Sequence, residues 1–427
     1  MCNYVRTPDT GDKKPLPIVP NNKKRLGLVI PWQWLGEAPE IIRRISAATD
    51  DDVIDTIYLD VFANGETLQD NPDFFPAMVA ASEWLGRQNS NKYLHYQKRL
   101  IARVHCLNWG PTAPPEDWKI HTDTIKNPLS GDEEWWLNPY TKKSPPPDQP
   151  VAIQAVCTPN LYSEILFHIK KKLDGLFEEY AQISFSGIHF VDVHVPYWAS
   201  EKLWTTHMED YRQSLSCFIQ SAARYAYKKN MAPSFDLLSD DIVGSALQDQ
   251  ILPGMGTHQS YEFTPIVPSG TLPSGLLSTF DGFMSYRSAE RKILPSVYLV
   301  HDGSIIGRDR ISAIYKALNR RDGSDLDGSN IILDPNLEWE KQLDTLFEQI
   351  KKAHDYIEFT FLTEGETGIP GVIVNIIDNH QNDTELKPTD SNGKTSFRVI
   401  KGDTCVVKGI KENSLKGAVT TSTITKQ

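Results

Sequence analysis

The chain has 427 residues, 40% hydrophobic and 23% charged, with a formal net charge of −11 and a pI near 5.5. That length accommodates two or three domains, and that composition buries a large core, which excludes a disordered or fibrous chain. The acidic balance argues against a nucleic-acid partner, because phosphate binding needs a basic face, and no run of about twenty apolar residues is present to span a membrane.

Residues 1–24 are polar and Pro-rich and read as an arm. Arg25 to Trp32 is a first apolar strand, followed by helical spacing from Ala38 to Ala48. Asp55 to Phe62 is a second strand, Phe74 to Gln97 carries a helical stretch, and Arg99 to Trp109 is a third strand. From Gly110 to Pro150 lies a long insertion containing Glu133-Glu134-Trp135-Trp136. A loop of this length in a compact domain is usually functional or disordered, and its tryptophans argue for order. Asn160 to Tyr180 is helical, and Ser186 to Trp198 reads as a buried strand interrupted by His189, Asp192 and His194 and stopped by Pro196. A carboxylate in such a run is expensive unless it is paired or used.

His207 to Lys229 is a further amphipathic helix, and Pro233 to Leu238 a fifth strand closing on Ser239-Asp240-Asp241. After a Gly/Pro-rich connection, Phe280 to Tyr286, Ser296 to Gly303 and Asn330 to Asp334 read as strands six to eight, with a helix from Glu338 to His354. Eight short apolar strands alternating with helices make an α/β pattern, that of a parallel (β/α)8 TIM barrel over residues 25–355. Beyond Tyr356, short alternating strands with Asn/Asp/Gly turns indicate a small all-β sandwich over 356–427, a spacer or a dock for a protein partner.

Cys2, Cys106, Cys157, Cys217 and Cys405 form no CxxC pair and no metal-ligand spacing, so no disulfide framework is expected. No signal peptide is visible. Cys2 directly after Met1 fits a mature lipoprotein held at a cell surface and an ordinary cytoplasmic start equally well.

Gly187-Ile188-His189-Phe190-Val191-Asp192-x-His194-x-Pro196 resembles the D-G-I-H-L-D-(D/Y)-x-x-Y-P segment of the bacterial glycosyl-hydrolase-like family ten. Trp136-Leu137-Asn138-Pro139 is similar to the W-L-(D/N)-P that precedes the same strand there, and Phe280 to Tyr286 to its V-D-x-I-x-P-x-x-Y strand. The chain departs from the pattern at Ser186 and Val191, where the family carries Asp. The resemblance covers about residues 25–355 and implies a glycoside-hydrolase-type barrel with polysaccharide substrates. The C-terminal Gly-x-Pro-Gly-Val-x-Val and Thr-Asp-Ser-Asn-Gly-Lys segments resemble bacterial immunoglobulin-like or carboxypeptidase-regulatory-like modules.

Barrel active sites lie at the C-terminal ends of the strands, where this chain places Asp60, Asn108, Asp192, His194, Asp240, Asp302 and Asp334. Asp240 and Asp334 read as helix caps. Glycoside hydrolysis needs two carboxyl groups, roughly 5–5.5 Å apart in retaining enzymes and 6.5–9.5 Å in inverting ones. Asp192 is the first candidate. Candidates for the second are Asp302, Asp60, Asp240, Asp241 and Glu134; Asp302 lies across the mouth, though before Gly303 it reads equally as a turn residue. His194 either holds Asp192 ionised, contacts a sugar hydroxyl, or packs as a core histidine. Trp32, Trp109, Trp135, Tyr197 and Trp198 are candidate sugar-stacking faces, and Asp60, Asn108 and Tyr286 complete the candidate substrate-binding set.

No Glu falls at the fourth or seventh strand end, which favours a barrel that binds carbohydrate without cleaving it. No GxGxxG after a strand, Walker loop, HExxH or GxSxG is present, so no cofactor is expected. His105, His194 and His301 with Asp192 form a metal alternative, without the His-x-His that barrel metallohydrolases carry on their first strand. Two functions stay open: a polysaccharide-acting hydrolase, and a non-catalytic carbohydrate-binding barrel displayed at a cell or particle surface.

Overall fold

The computed structural model describes residues 25–48, 54–86, 98–107, 109, 115, 118, 136–137, 161–193, 197–198, 201–238, 261–267, 291–301, 304–305, 314, 328–362, 366–377, 383–400, 404–411 and 420–425. Eight parallel strands form its centre: β1 (Arg25–Ile30), β2 (Thr56–Ala63), β3 (Arg99–His105), β4 (Gly187–Val191), β5 (Ala232–Leu238), β6 (Tyr261–Val267), β7 (Ser296–Tyr298) and β8 (Gly328–Ile332). Each pairs with its neighbour in chain order, β8 pairs with β1, and the ring closes in a TIM-like arrangement. Five long helices accompany it among the described residues: α1 (Ala38–Ala48), α2 (Phe74–Gly86), α3 (Tyr162–Glu179), α4 (Glu201–Lys228) and α5 (Trp339–Ala353).

A strand's side chains alternate between its two faces, and here the alternation sorts residues into two buried sets. Leu28, Ile30, Ile57, Leu59, Leu100, Ala102, Ile188, Phe190, Phe235 and Ile331 join Ile41 and Ile45 of α1, Ala77 and Ala81 of α2, Ile169 and Leu173 of α3, and Leu343 and Leu346 of α5 in one apolar layer. Full burial of each large side chain contributes roughly 1.5–3 kcal/mol. Val29, Tyr58, Ile101 and Ile332, with Tyr298 against them, form a separate cluster on the opposite, inner face. Both faces are therefore buried, which is why these strands read as near-continuous apolar runs.

The inner face is also polar. His189 Nδ1 lies 2.9 Å from Ser234 Oγ, and its Nε2 lies 3.4 Å from Thr264 Oγ1. Tyr58 meets the His189 ring edge-on, with centroids 5.3 Å apart. Gly27 leaves room for this layer: a Cβ there would sit 2.3 Å from Asn330 Oδ1 and 2.8 Å from Tyr58 Cε2.

Three expectations are corrected. The sixth strand is Tyr261–Val267, not Phe280 to Tyr286, which lies outside the described residues. Pro265 hid it, because proline cannot donate to a ladder and argues against a central strand. The Asp192 strand ends at Val191 rather than running on to the stop at Pro196. Asp192 itself turns left-handed, with φ of 59°. Finally, Cys217 is disulfide-bonded, whereas Cys106 is a buried free thiol.

After α5 the chain passes directly into β9 (His354–Thr360), β10 (Val372–Ile377), β11 (Asp383–Pro388), β12 (Lys394–Ile400), β13 (Thr404–Lys411) and β14 (Thr420–Thr425), all antiparallel. β9 pairs with β12, and β11-β10-β13-β14 form a four-stranded sheet. Asp390 Oδ1 accepts the N–H groups of Asn392 and Lys394, which makes the turn into β12 a local property of Asp390-Ser391-Asn392-Gly393.

Candidate functional site

Period-two alternation puts Ile101, Arg103 and His105 of β3 on the inner face, so the strand's last two charged side chains point into the barrel near its C-terminal end. Asp60 lies within β2, beside a register shift between Asp60 and Phe62. There it pairs with Arg103 across the ladder, and its side chain is fully buried. Arg103 Nη1 donates to Asp60 Oδ1 at 2.8 Å. The Trp32 backbone N–H donates to Asp60 Oδ2 at 2.8 Å. His105 bridges two carboxylates: Nε2 lies 3.2 Å from Asp60 Oδ2 and Nδ1 lies 2.8 Å from Asp192 Oδ2.

The electrostatics follow from these contacts. Burial pushes the His105 imidazole towards neutrality, but the Asp60 charge and the hydrogen bonds to Asp192 and Asp60 outweigh it and raise its pKa to about 9. His105 is thus an imidazolium at neutral pH and donates from both nitrogens. Burial also pushes Asp60 up, yet the Arg103 and His105 charges and the Trp32 N–H hold it below the ordinary carboxylate value. Burial acts against the Arg103 charge, and Asp60 more than restores it. Burial first, then the Asp334, Asp192 and Asp236 charges, raise the Tyr298 phenol against the pull of Arg103.

Asp192 is set by a neighbouring strand as well. Asp236 of β5, itself buried, accepts the Asp192 N–H on Oδ2 at 2.9 Å and the Val193 N–H on Oδ1 at 3.4 Å. The result is a cavity of about 220 Å³ at the C-terminal ends of the strands, lined by Trp32, Gln33, Asp60, Asn64, Arg103, His105, Asp192, Tyr298, Ile332 and Leu333 among others. It is smaller than the roughly 300–1,000 Å³ of a drug-sized ligand site.

Of the sequence candidates, the cavity collects Asp192, Asp60 and Trp32. The Asp60 oxygens accept hydrogen bonds from Arg103, Trp32 and His105, which hold it charged. Trp109 packs elsewhere, 5% exposed, its ring against Trp118 and His168 and its N–H donated to the Cys106 carbonyl. It therefore serves as core. Tyr197 and Trp198 form a two-residue strand antiparallel to Trp136–Leu137, so the backbone after β4 pairs with the 110–150 insertion. Asp302, His194, Asn108, Trp135, Tyr286, Asp240, Asp241 and Glu134 lie outside the described residues. Among the described residues no group of three or more His, Cys, Asp and Glu is placed to hold a metal ion. Asp334 accepts the Asn336 N–H in a local turn and serves the loop after β8.

Arg103, Asp236 and Tyr298 were not among the candidates, and His105 entered only as a metal ligand. Arg103 and His105 left one signal, two ionisable residues two apart in a buried strand; Asp236 in Pro-Ser-Phe-Asp left none.

No known protein family and no curated protein sequence matches the chain. Among solved structures it is similar to the PgaB (BpsB) glycoside hydrolase domain from Bordetella bronchiseptica, at 11% identity and a TM-score of 0.43 over 76% of this chain and 98% of that one. It is also similar to a chitinase from Chromobacterium violaceum, at 10% identity and 0.41 over 77% and 98%. A beta-N-acetylhexosaminidase from Bacteroides fragilis gives 10% and 0.42 over 78% of this chain and 64% of that one. No helix among the described residues is long and apolar enough to cross a membrane.

Proposed function

We propose that this chain is a glycoside-hydrolase-like barrel that takes a polysaccharide or oligosaccharide at its C-terminal mouth, with Asp192 as the carboxylate that meets the sugar. The observation that carries the reading is the 2.8 Å contact between Asp192 and the His105 imidazolium in the wall of a cavity whose rim includes Trp32. A fixed anion there suits the positive charge that develops on a sugar ring as its glycosidic bond breaks. The partner carboxylate is Asp302, with Asp240, Asp241 and Glu134 behind it, because Asp60 and Asp236 are both committed to hydrogen bonds. Residues 25–355 are the barrel and 356–427 a β-sandwich module that docks or presents it.

One observation favours a second reading, a barrel that binds carbohydrate without cleaving it. The Asp192 side chain is only 6% exposed, and among the described residues Asp60 and Asp236 beside it are committed to hydrogen bonds. Release of reducing sugar from a panel of bacterial and plant polysaccharides, wild type beside Asp192→Asn, separates the two. Turnover that disappears in the folded variant supports the hydrolase. No turnover by either, with wild-type retention on one polysaccharide in a pull-down, supports the binding barrel. Neither turnover nor retention on any polysaccharide sinks both.

A further inference from the structure

The geometry points to Asp236 as the positioning residue of the mouth: by accepting two successive backbone N–H groups it holds Asp192 in its left-handed turn and thereby aims the Asp192 carboxylate at His105 and the cavity. This rests on the reading that Asp192 meets the sugar.

A non-glycine residue with φ of 59° occupies a sparsely populated conformation and persists only where its surroundings over-determine it. Here the surroundings are identifiable. The chain leaves β4 at Val191, and the next two peptides would ordinarily continue the ladder. They turn instead onto Asp236, which β5 carries beyond its last paired contact with β4, at Phe235. Both Asp236 oxygens are used, one per N–H, at 2.9 Å and 3.4 Å. Asp236 is 1% exposed, so these bonds are not exchanged for water. From the other side His105 Nδ1 grips Asp192 Oδ2 at 2.8 Å. Backbone and side chain of Asp192 are thus fixed by two different strands, β5 and β3. The Asp236 carboxylate has no place in the cavity lining, whereas Asp192 does. Asp236 therefore acts through Asp192 rather than on the ligand.

The test is Asp236→Asn, which keeps shape but turns an N–H donor towards a backbone N–H, read beside Asp192→Asn. Hydrogen exchange by mass spectrometry reports the amides of residues 190–193 and, separately, those of β5 and β8. The expected result is at least tenfold faster exchange at the Asp192 and Val193 amides with β8 still protected. Turnover or polysaccharide retention should fall at least tenfold, towards that of Asp192→Asn. Unchanged protection at those two amides overturns the inference. So does a freed turn with wild-type turnover and retention, when Asp192→Asn has lost them. Asp192→Asn that itself retains wild-type behaviour overturns the proposed function, and the positioning role with it. Should Asp236→Asn not fold, Asp192→Gly with Asp236→Asn decides: glycine adopts the left-handed turn unaided, so the double variant folds if Asp236 holds the turn. It stays unfolded if Asp236 only stabilises β5, which overturns the inference.

Discussion

His105 Nδ1 lies 2.8 Å from Asp192 Oδ2, across 87 residues of sequence, and the same ring reaches Asp60 Oδ2 at 3.2 Å. One imidazolium therefore ties the second, third and fourth strands together at the mouth. Its charge is a property of the closed ring: an unfolded histidine titrates near 6.5, roughly the ordinary value.

That difference sets a pH dependence. The folded pKa of His105 is raised to about 9, above the unfolded value, so its stabilisation is fully present below about pH 6.5 and is lost as pH rises through about 9. The shift corresponds to roughly 3 kcal/mol. Urea unfolding from about pH 6 to about pH 9.5 should show wild-type stability declining and the His105→Gln variant declining less. Parallel curves would refute the assignment. Asp60 runs the other way: its lowered pKa gives stability that is present above about pH 4 and lost as pH falls through the folded value.

Breaking the Arg103–Asp60 pair from one side leaves a buried charge uncompensated. Asp60→Asn should cost about 3–5 kcal/mol, whereas Asp60→Leu combined with Arg103→Met should cost less than the two single changes together. A double-mutant cycle by chemical denaturation measures this. Simple additivity would mean that the pair contributes nothing as a pair.

Gly65 combines two demands. Its φ is 78°, and a Cβ there would lie 2.4 Å from the Trp109 ring. Gly65→Ala should therefore destabilise by about 2–4 kcal/mol through strain and overpacking. A melting temperature within about 2 °C of wild type would contradict the packing of Trp109.

Trp32 and Trp109 should separate in experiment. Trp32→Ala keeps the backbone N–H that holds Asp60 but removes a cavity wall. It should weaken retention on the preferred polysaccharide about tenfold, roughly 1.4 kcal/mol, with little change in unfolding. Trp109→Ala should cost about 3–5 kcal/mol of stability. The reverse pattern would move the binding face to Trp109.

Much of the barrel was legible because its evidence is local. Leu26 to Ile30 and Ile57 to Leu59 are apolar on both faces, and α1 and α5 follow their strands with helical spacing. Tyr261–Val267 was not legible, because Glu262 and Pro265 break the apolar run that a buried strand ordinarily keeps. At the site, Asp192 stood out as a carboxylate in an apolar stretch, while Asp236 looked like any polar residue near a strand end.

The sequence by itself determined most of the barrel's strands and helices, and that ionisable groups gather towards the strand ends. Those are properties of neighbours along the chain, set by a period of two or 3.6 residues. Only the tertiary structure decided that Arg103 holds Asp60, that His105 joins Asp60 to Asp192, and that Asp236 takes the turn after β4. Those choices depend on the register at which the strands pair when the ring closes. A shift of two residues would keep every inward face inward and still give each of these side chains a different partner.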